Sequence, residues 1–205
     1  MDSRWQSLQE LATLQHGHFT TSQAEAVGLT RPAVHYQLRT GRIERSERGV
    51  YRFTAYPHTD HEREAVLMLW SRIDPTVAFS HETALKHFEL GDAFPEKLHL
   101  TVPRTFRMRS PEDVTIHKGV LAESEVHQEG ILRFTNPTRT FLDLLLDGYP
   151  MEQLQAAYEE SAARGLIRRH ALEADSEQTI AYLSHVPRAR HPELIERLAW
   201  ATGGS

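Results

Sequence analysis

The chain has 205 residues, enough for one large or two modest domains, and a formal net charge of −5. Residues 1–53 carry seven basic and five acidic side chains (+2) and residues 54–205 carry 16 and 23 (−7), which argues against a general nucleic-acid coat protein and suits a small basic head on an acidic body. The absence of cysteine excludes disulfides and thiolate metal sites; with no apolar run near the ~20 residues of a membrane span and no signal-peptide pattern in residues 1–10, a soluble cytoplasmic protein without a membrane partner is expected.

Residues 3–15 read as an amphipathic helix, because Trp5, Leu8, Leu11, Ala12 and Leu14 recur at three- and four-residue spacing. His16 and Gly17 end it, and residues 18–20 form a short strand candidate. Residues 21–27 are a second short helix, and Gly28-Leu29 supplies the tight turn of a helix-turn-helix. Thr30 can cap the next helix, Pro32 fits its first turn, and Gly41 stops it. Val34 and Leu38, four apart, dock that helix on a core, and its opposite face carries Pro32, His35, Tyr36 and Arg39, with Arg31 at the exposed end. Such side chains reach phosphates and base edges.

After Gly41 the period becomes alternating, which predicts a hairpin with strands 43–45 and 50–53 and a turn at 46–49. A hairpin directly after the second helix of such a pair predicts a winged helix. Across this stretch Arg31, Arg39, Arg42, Arg45, Arg48 and Arg52 face only Glu44 and Glu47, a local net of +4, all as the side chain best suited to bidentate phosphate or guanine contacts. The candidate DNA-binding set is therefore Thr21, Thr30, Arg31, His35, Tyr36, Arg39, Arg42, Arg45 and Arg48.

Residues 54–59, with a proline and no periodicity, read as a linker. The predicted division is a winged helix-turn-helix domain over 1–55 and a mixed α/β domain over 56–205, α+β overall. In the second domain, helices are expected at 60–72 and from Ser80 to about Phe88. Strands are expected at 97–102, 114–117 and 131–134, bounded by Pro95, Pro103, Pro111, Gly119 and Gly130, and make a small sheet. The loop with Arg104, Arg107 and Arg109 is the one basic cluster outside the head and a candidate contact for nucleic acid or a partner. Helices follow at 137–146 and 151–164, then a helical tail from about 166, with 201–205 frayed.

Thirteen histidines raise the question of a metal, but His16/His18 and His58/His61 have no third and fourth ligand in view, and no metal is expected. No glycine-rich phosphate loop, serine elbow or dinucleotide fingerprint is present, so no cofactor is expected. A metal-dependent nuclease needs clustered carboxylates and a lysine. The candidates Glu96-Lys97 and Asp113 with Lys118 are poorly spaced for that work, and a non-enzyme is favoured.

Two segments carry a family resemblance: 41–52, with Gly41-Arg42-Ile43-Glu44-Arg45 and Arg48-Gly49-Val50-Tyr51-Arg52, and 135–145, with Asn136-Pro137-Thr138-Arg139-Thr140-Phe141-Leu142-Asp143. The chain resembles the AbiEi family of antitoxins from type IV toxin-antitoxin systems. That resemblance implies a winged-helix head that binds operator DNA with inverted repeats and represses its own operon, and a second domain that counters a nucleotidyltransferase toxin. It carries Arg31, His35, Tyr36 and Arg39 over as groove contacts and Arg45 and Arg48 as wing contacts. Alternatives are a solitary winged-helix regulator or a DNA-targeted nuclease-like protein. On physical grounds segment 135–145 reads first as a fold staple: Asn136 caps, Pro137 opens the helix, Phe141, Leu144 and Leu145 pack, and Arg139 and Asp143 pair on one face.

Overall fold

A computed structural model describes residues 3–167 together with Leu172, Glu196, Arg197, Ala199 and Trp200. It is a mixed α/β protein whose chain divides into two compact units, Met1–Val77 with Gln128–Arg133, and Ala78–His127 with Phe134–Ser205. The expected frayed end at 201–205 and most of the helical tail from about 166 lie outside the described residues. Among the described residues no helix is long and apolar enough to cross a membrane.

The first unit begins with α1 (Ser3–Thr13), β1 (His18–Thr20), α2 (Thr21–Ala26) and α3 (Arg31–Arg39). It continues with β2 (Ile43–Glu47), β3 (Val50–Phe53) and α4 (Glu62–Trp70). Its sheet is antiparallel in the order β1-β3-β2, with His18 opposite Arg52 and Ile43 opposite Phe53. Leu8 and Ala12 from α1, Ala24, Leu29 and Val34 from the helix pair, and Phe19, Ile43 and Phe53 from the sheet close one core. Hence α1 buries Leu8 and Ala12 as its apolar spacing predicts, but it ends at Thr13 and leaves Leu14, expected on the same stripe, exposed. Gly17 sits at φ +82°, and a β-carbon there would come within 2.5 Å of the Tyr56 ring, so only glycine lets the chain turn from α1 into β1 beneath that ring.

Local chemistry explains both helix starts. Thr20 accepts the Gln23 N–H at 3.1 Å while the Gln23 side chain accepts the Thr20 N–H at 2.8 Å, a reciprocal capping box that ties β1 to α2. Thr30 accepts from the Ala33 amide, and Pro32 occupies the first turn of α3. The hairpin differs from the expectation in one respect: β2 runs on to Glu47, with a bulge between Arg45 and Glu47, so that the turn shrinks to Arg48-Gly49. Gly49 takes φ +79° there, which permits a two-residue connection where four residues were expected.

The second unit holds β4 (Ala78–Phe79), α5 (His81–His87), β5 (Leu98–Val102) and β6 (Val114–Lys118). After a 3-10 turn at Glu123–Glu125 come β7 (Val126–Glu129) and β8 (Leu132–Thr135), of which Gln128–Arg133 is grouped with the first unit, and then α6 (Pro137–Asp147) and α7 (Met151–Ala163). The sheet order is β6-β5-β4-β8-β7, with β5 parallel to β6, β4 antiparallel to β5 and β4 parallel to β8. The three expected strands are present; β4 and β7 enlarge the sheet to five. Leu85, Leu90, Phe141, Leu144, Leu145, Leu154 and Ala157 form the helical core.

Segment 135–145 is the staple its residues predict. Asn136 accepts the Arg139 amide at 2.9 Å, Pro137 opens α6, and Gly148 closes it at φ +85°. The Arg139–Asp143 pair, 2.8 Å apart, is mostly buried, and Arg139 reaches Glu125 at 3.0 Å and the Val120 carbonyl as well. Burial outweighs the attraction of Arg139 and raises the Asp143 carboxyl to about 6. Its Oδ2 is buried and has no hydrogen bond among the described residues.

Candidate nucleic-acid interface

α2 and α3 are joined through residues 27–30, with Gly28 at φ +82° and the Leu29 amide bonded to the Ala24 carbonyl at 3.0 Å, an arrangement consistent with a helix-turn-helix. Arg4, to which the sequence reading gives no role, holds this turn by donating to the Gly28 carbonyl at 3.1 Å. No local pattern reveals that contact, since the partners are 24 residues apart.

Val34 is buried and Leu38 half-buried on the inner face of α3, which leaves Arg31, Pro32, His35, Tyr36 and Arg39 exposed. Tyr36 is 55% exposed, a large fraction for an aromatic side chain in a folded protein. Arg42, Arg45 and Arg48 are exposed on the hairpin and its approach. Arg31 is held by Glu25 at 2.8 Å, and Arg45 donates to the Glu47 carbonyl at 3.3 Å. By contrast, the side chains of His35, Tyr36, Arg39, Arg42 and Arg48 make no hydrogen bond or ion pair among the described residues. Among the described residues nothing competes for their polar atoms. Thr30 is taken up by capping, and half-buried Thr21 has its hydroxyl 3.5 Å from the Gly49 carbonyl.

The sixth arginine of the run behaves differently. Arg52 is 4% exposed and bonds Glu44 and Glu62, both at 3.2 Å, and the Tyr56 carbonyl. Period-2 alternation on β3 places it on the face opposite Tyr51 and Phe53, away from the aromatic core, and it is buried there because Glu44 and Glu62 close over it. The outward arginine set is thus five. Glu62 also accepts from His58; burial pushes its carboxyl up, but the His58 hydrogen bond and the Arg52 guanidinium together hold it below the ordinary value. α4 is clamped to the hairpin a second time by Arg63 and Glu47 at 3.5 Å. Arg52→Ala is expected to destabilise the head by about 2 kcal/mol, because the Tyr56 carbonyl and half-buried Glu62 lose their partner. Urea unfolding checks this; an unchanged midpoint would assign Arg52 to the surface set after all.

In the second unit Arg104, Arg107 and Arg109 are exposed on an irregular loop, and Arg107 folds back onto the carbonyls of Arg104 at 2.7 Å and Phe106 at 3.1 Å. Lys118 donates to the Phe106 carbonyl at 2.7 Å, which ties the end of β6 to that loop.

The head is thus a compact α/β module with a helix pair, one helix of which presents bare cationic and aromatic side chains. Residues 6–54 match the family model described as "Transcriptional regulator, AbiEi antitoxin". The matched span contains α2, α3, β2, β3 and every head residue of the candidate set. The comparison with curated proteins gives no match. Among solved structures the chain is similar to the RV2827C protein from Mycobacterium tuberculosis, with a TM-score of 0.60 and 13% identity. That alignment covers 97% of this chain and 76% of the other, and at this identity the likeness is one of fold.

Proposed function

We propose that the chain is a DNA-binding transcriptional regulator of the AbiEi antitoxin type, acting in the cytoplasm without catalysis. The observation that carries this is that His35, Tyr36, Arg39, Arg42 and Arg48, inside the family-matched span, are exposed and have no side-chain partner among the described residues. In this reading the head, about residues 1–55, is a winged helix. α3 enters the major groove with Arg31, His35, Tyr36 and Arg39 at the bases and inner phosphates, and the β2–β3 wing lays Arg45 and Arg48 along the flanking backbone. Thr30, which keeps its capping role, sets the first turn of α3 toward a phosphate, and Thr21, whose amide and hydroxyl meet the Gly49 carbonyl, abuts the DNA backbone by packing. The body, 56–205, with its Arg104, Arg107 and Arg109 loop, serves the antitoxin role against a nucleotidyltransferase toxin.

The operator is expected upstream of the protein's own gene, as inverted repeats. A reporter driven by that upstream region should be repressed when the protein is supplied, and Tyr36→Ala with His35→Ala should relieve repression at equal protein level. Repression that is absent, or unchanged in the double variant, would defeat the regulator reading. Co-expression with a neighbouring nucleotidyltransferase tests the antitoxin role separately: rescue of growth supports it, and undiminished toxicity opposes it.

A further inference from the structure

The second unit gathers three histidines that lie far apart in the sequence. β5 and β6 run parallel, with His99 opposite Thr115 and Thr101 opposite His117, so His99 and His117 lie on one face two positions apart. His99 Nδ1 and His117 Nε2 are 3.0 Å apart. His81, the first residue of α5, lays its ring on that of His117 with centroids 3.6 Å apart, and its centroid is 5.6 Å from that of His99. One ring nitrogen from each of the three lies within 4.8 Å of the others. His81 is buried and holds φ +54°, a left-handed conformation that His adopts more readily than most residues and that His16 shares.

We propose that His81, His99 and His117 form a three-imidazole site for a late first-row divalent cation, Zn²⁺ foremost. Two nitrogens on one tetrahedral Zn²⁺ stand about 3.3 Å apart when each bond is about 2.05 Å, close to the separation already present between His99 and His117. The groups behind the ligands fit the same purpose. His81 Nδ1 is engaged by Ser80 Oγ at 2.8 Å, which in turn meets Thr101 Oγ1 at 2.7 Å, leaving Nε2 of His81 to bind once its ring swings off the face of His117, since stacked rings hold their lone pairs in parallel planes. His99 has Glu82 Oε2 3.5 Å from its Nε2, the carboxylate placement that orients a ligating imidazole and raises its basicity while Nδ1 binds. His81 is buried and His99 and His117 are half-buried, and a neutral imidazole in such a place offers a lone pair to an ion. Imidazole ligands suit Zn²⁺ and its neighbours, and three protein ligands keep a fourth position for water or an incoming group. The site joins α5 to β5 and β6, so occupancy stabilises the second unit. It is independent of the DNA-binding reading.

The test uses the full chain, free of any affinity tag and stripped with a chelator, titrated with Zn²⁺ against a chromogenic chelator and with Co²⁺ by visible absorption. One equivalent per chain and intense tetrahedral Co²⁺ bands are expected. His117→Gln and His99→Gln should each weaken binding by more than the roughly 100-fold that marks the upper end for a partner one bond further out, and Glu82→Gln by about 10-fold. His58→Ala, an exposed histidine of the first unit, should bind as the wild type does. Should a glutamine variant fail to fold, the wild type decides alone, through imidazole ¹⁵N resonances: three histidines shift at one equivalent of Zn²⁺. No stoichiometric uptake, or uptake undiminished in folded His99→Gln and His117→Gln, would overturn the site.

Discussion

Replacing Arg39, Arg42 and Arg48 together by alanine is expected to weaken binding to the upstream DNA by about 1,000-fold, near 4 kcal/mol, if each charge-assisted phosphate contact contributes about 1.4 kcal/mol. The slope of log affinity against log salt should flatten by about 2.7, from three lost contacts at about 0.9 each. These three are the fitting choice because none has an internal partner among the described residues, so their removal leaves no buried charge behind and the head keeps its fold. Arg31 is a weaker choice, since Glu25 already holds it at 2.8 Å and part of any loss would come from freeing that carboxylate. A fluorescence-anisotropy titration at several salt concentrations measures both quantities. A triple variant with wild-type affinity and slope would move the DNA surface elsewhere on the protein.

The second large effect concerns the body. The Asp143 carboxyl titrates near 6 in the folded chain against an ordinary 3.8, because burial disfavours its charge more than Arg139 favours it, with Glu125 and Asp147 adding repulsion. Between those two values the folded state keeps a proton that the unfolded chain has released. Stability from this group is therefore complete below the unfolded value and is lost as pH rises through about 6, a swing of about 3 kcal/mol. Asparagine has no such proton. The stability of Asp143→Asn relative to wild type is expected to move in favour of the variant by about 2 kcal/mol between pH 4 and pH 7, most of the full swing, and taking the difference cancels the other titrating groups. Denaturant unfolding at both pH values measures it. A difference that stays flat would mean that Arg139, bonded at 2.8 Å, fully offsets the burial of this carboxylate.

How far the sequence could be read depended on how local the deciding physics was. α3 was legible because each of its signals lies within a few residues: the Thr30 cap, Pro32 in the first turn, and Val34 and Leu38 on one face. The bare outer face of that helix followed from the same spacing, and Arg39, His35 and Tyr36 stand where 100° per residue puts them. The α6 staple was legible for the same reason.

What was missed depended on distant partners. Arg52 counts as one more cation in a basic run until Glu44 and Glu62 are brought against it from another strand and a following helix. β7, Val-His-Gln-Glu and mostly exposed, has no alternation to betray it and exists because a sheet edge accepts its backbone. The histidine cluster was hidden by sequence distance: His99 and His117 are 18 residues apart and meet through the parallel register of β5 and β6, while the sequence draws attention to close pairs such as His58 and His61.

The central claim, that the amino-terminal cationic ridge reads duplex DNA, is tested most directly by titrating the wild-type chain against a labelled duplex from its own upstream region and a scrambled duplex of equal length, across 50–200 mM salt. The account predicts saturable binding that is tighter on the native sequence at every salt concentration and weakens steeply as salt rises. No binding at 50 mM salt, or equal affinity for both duplexes, would contradict it.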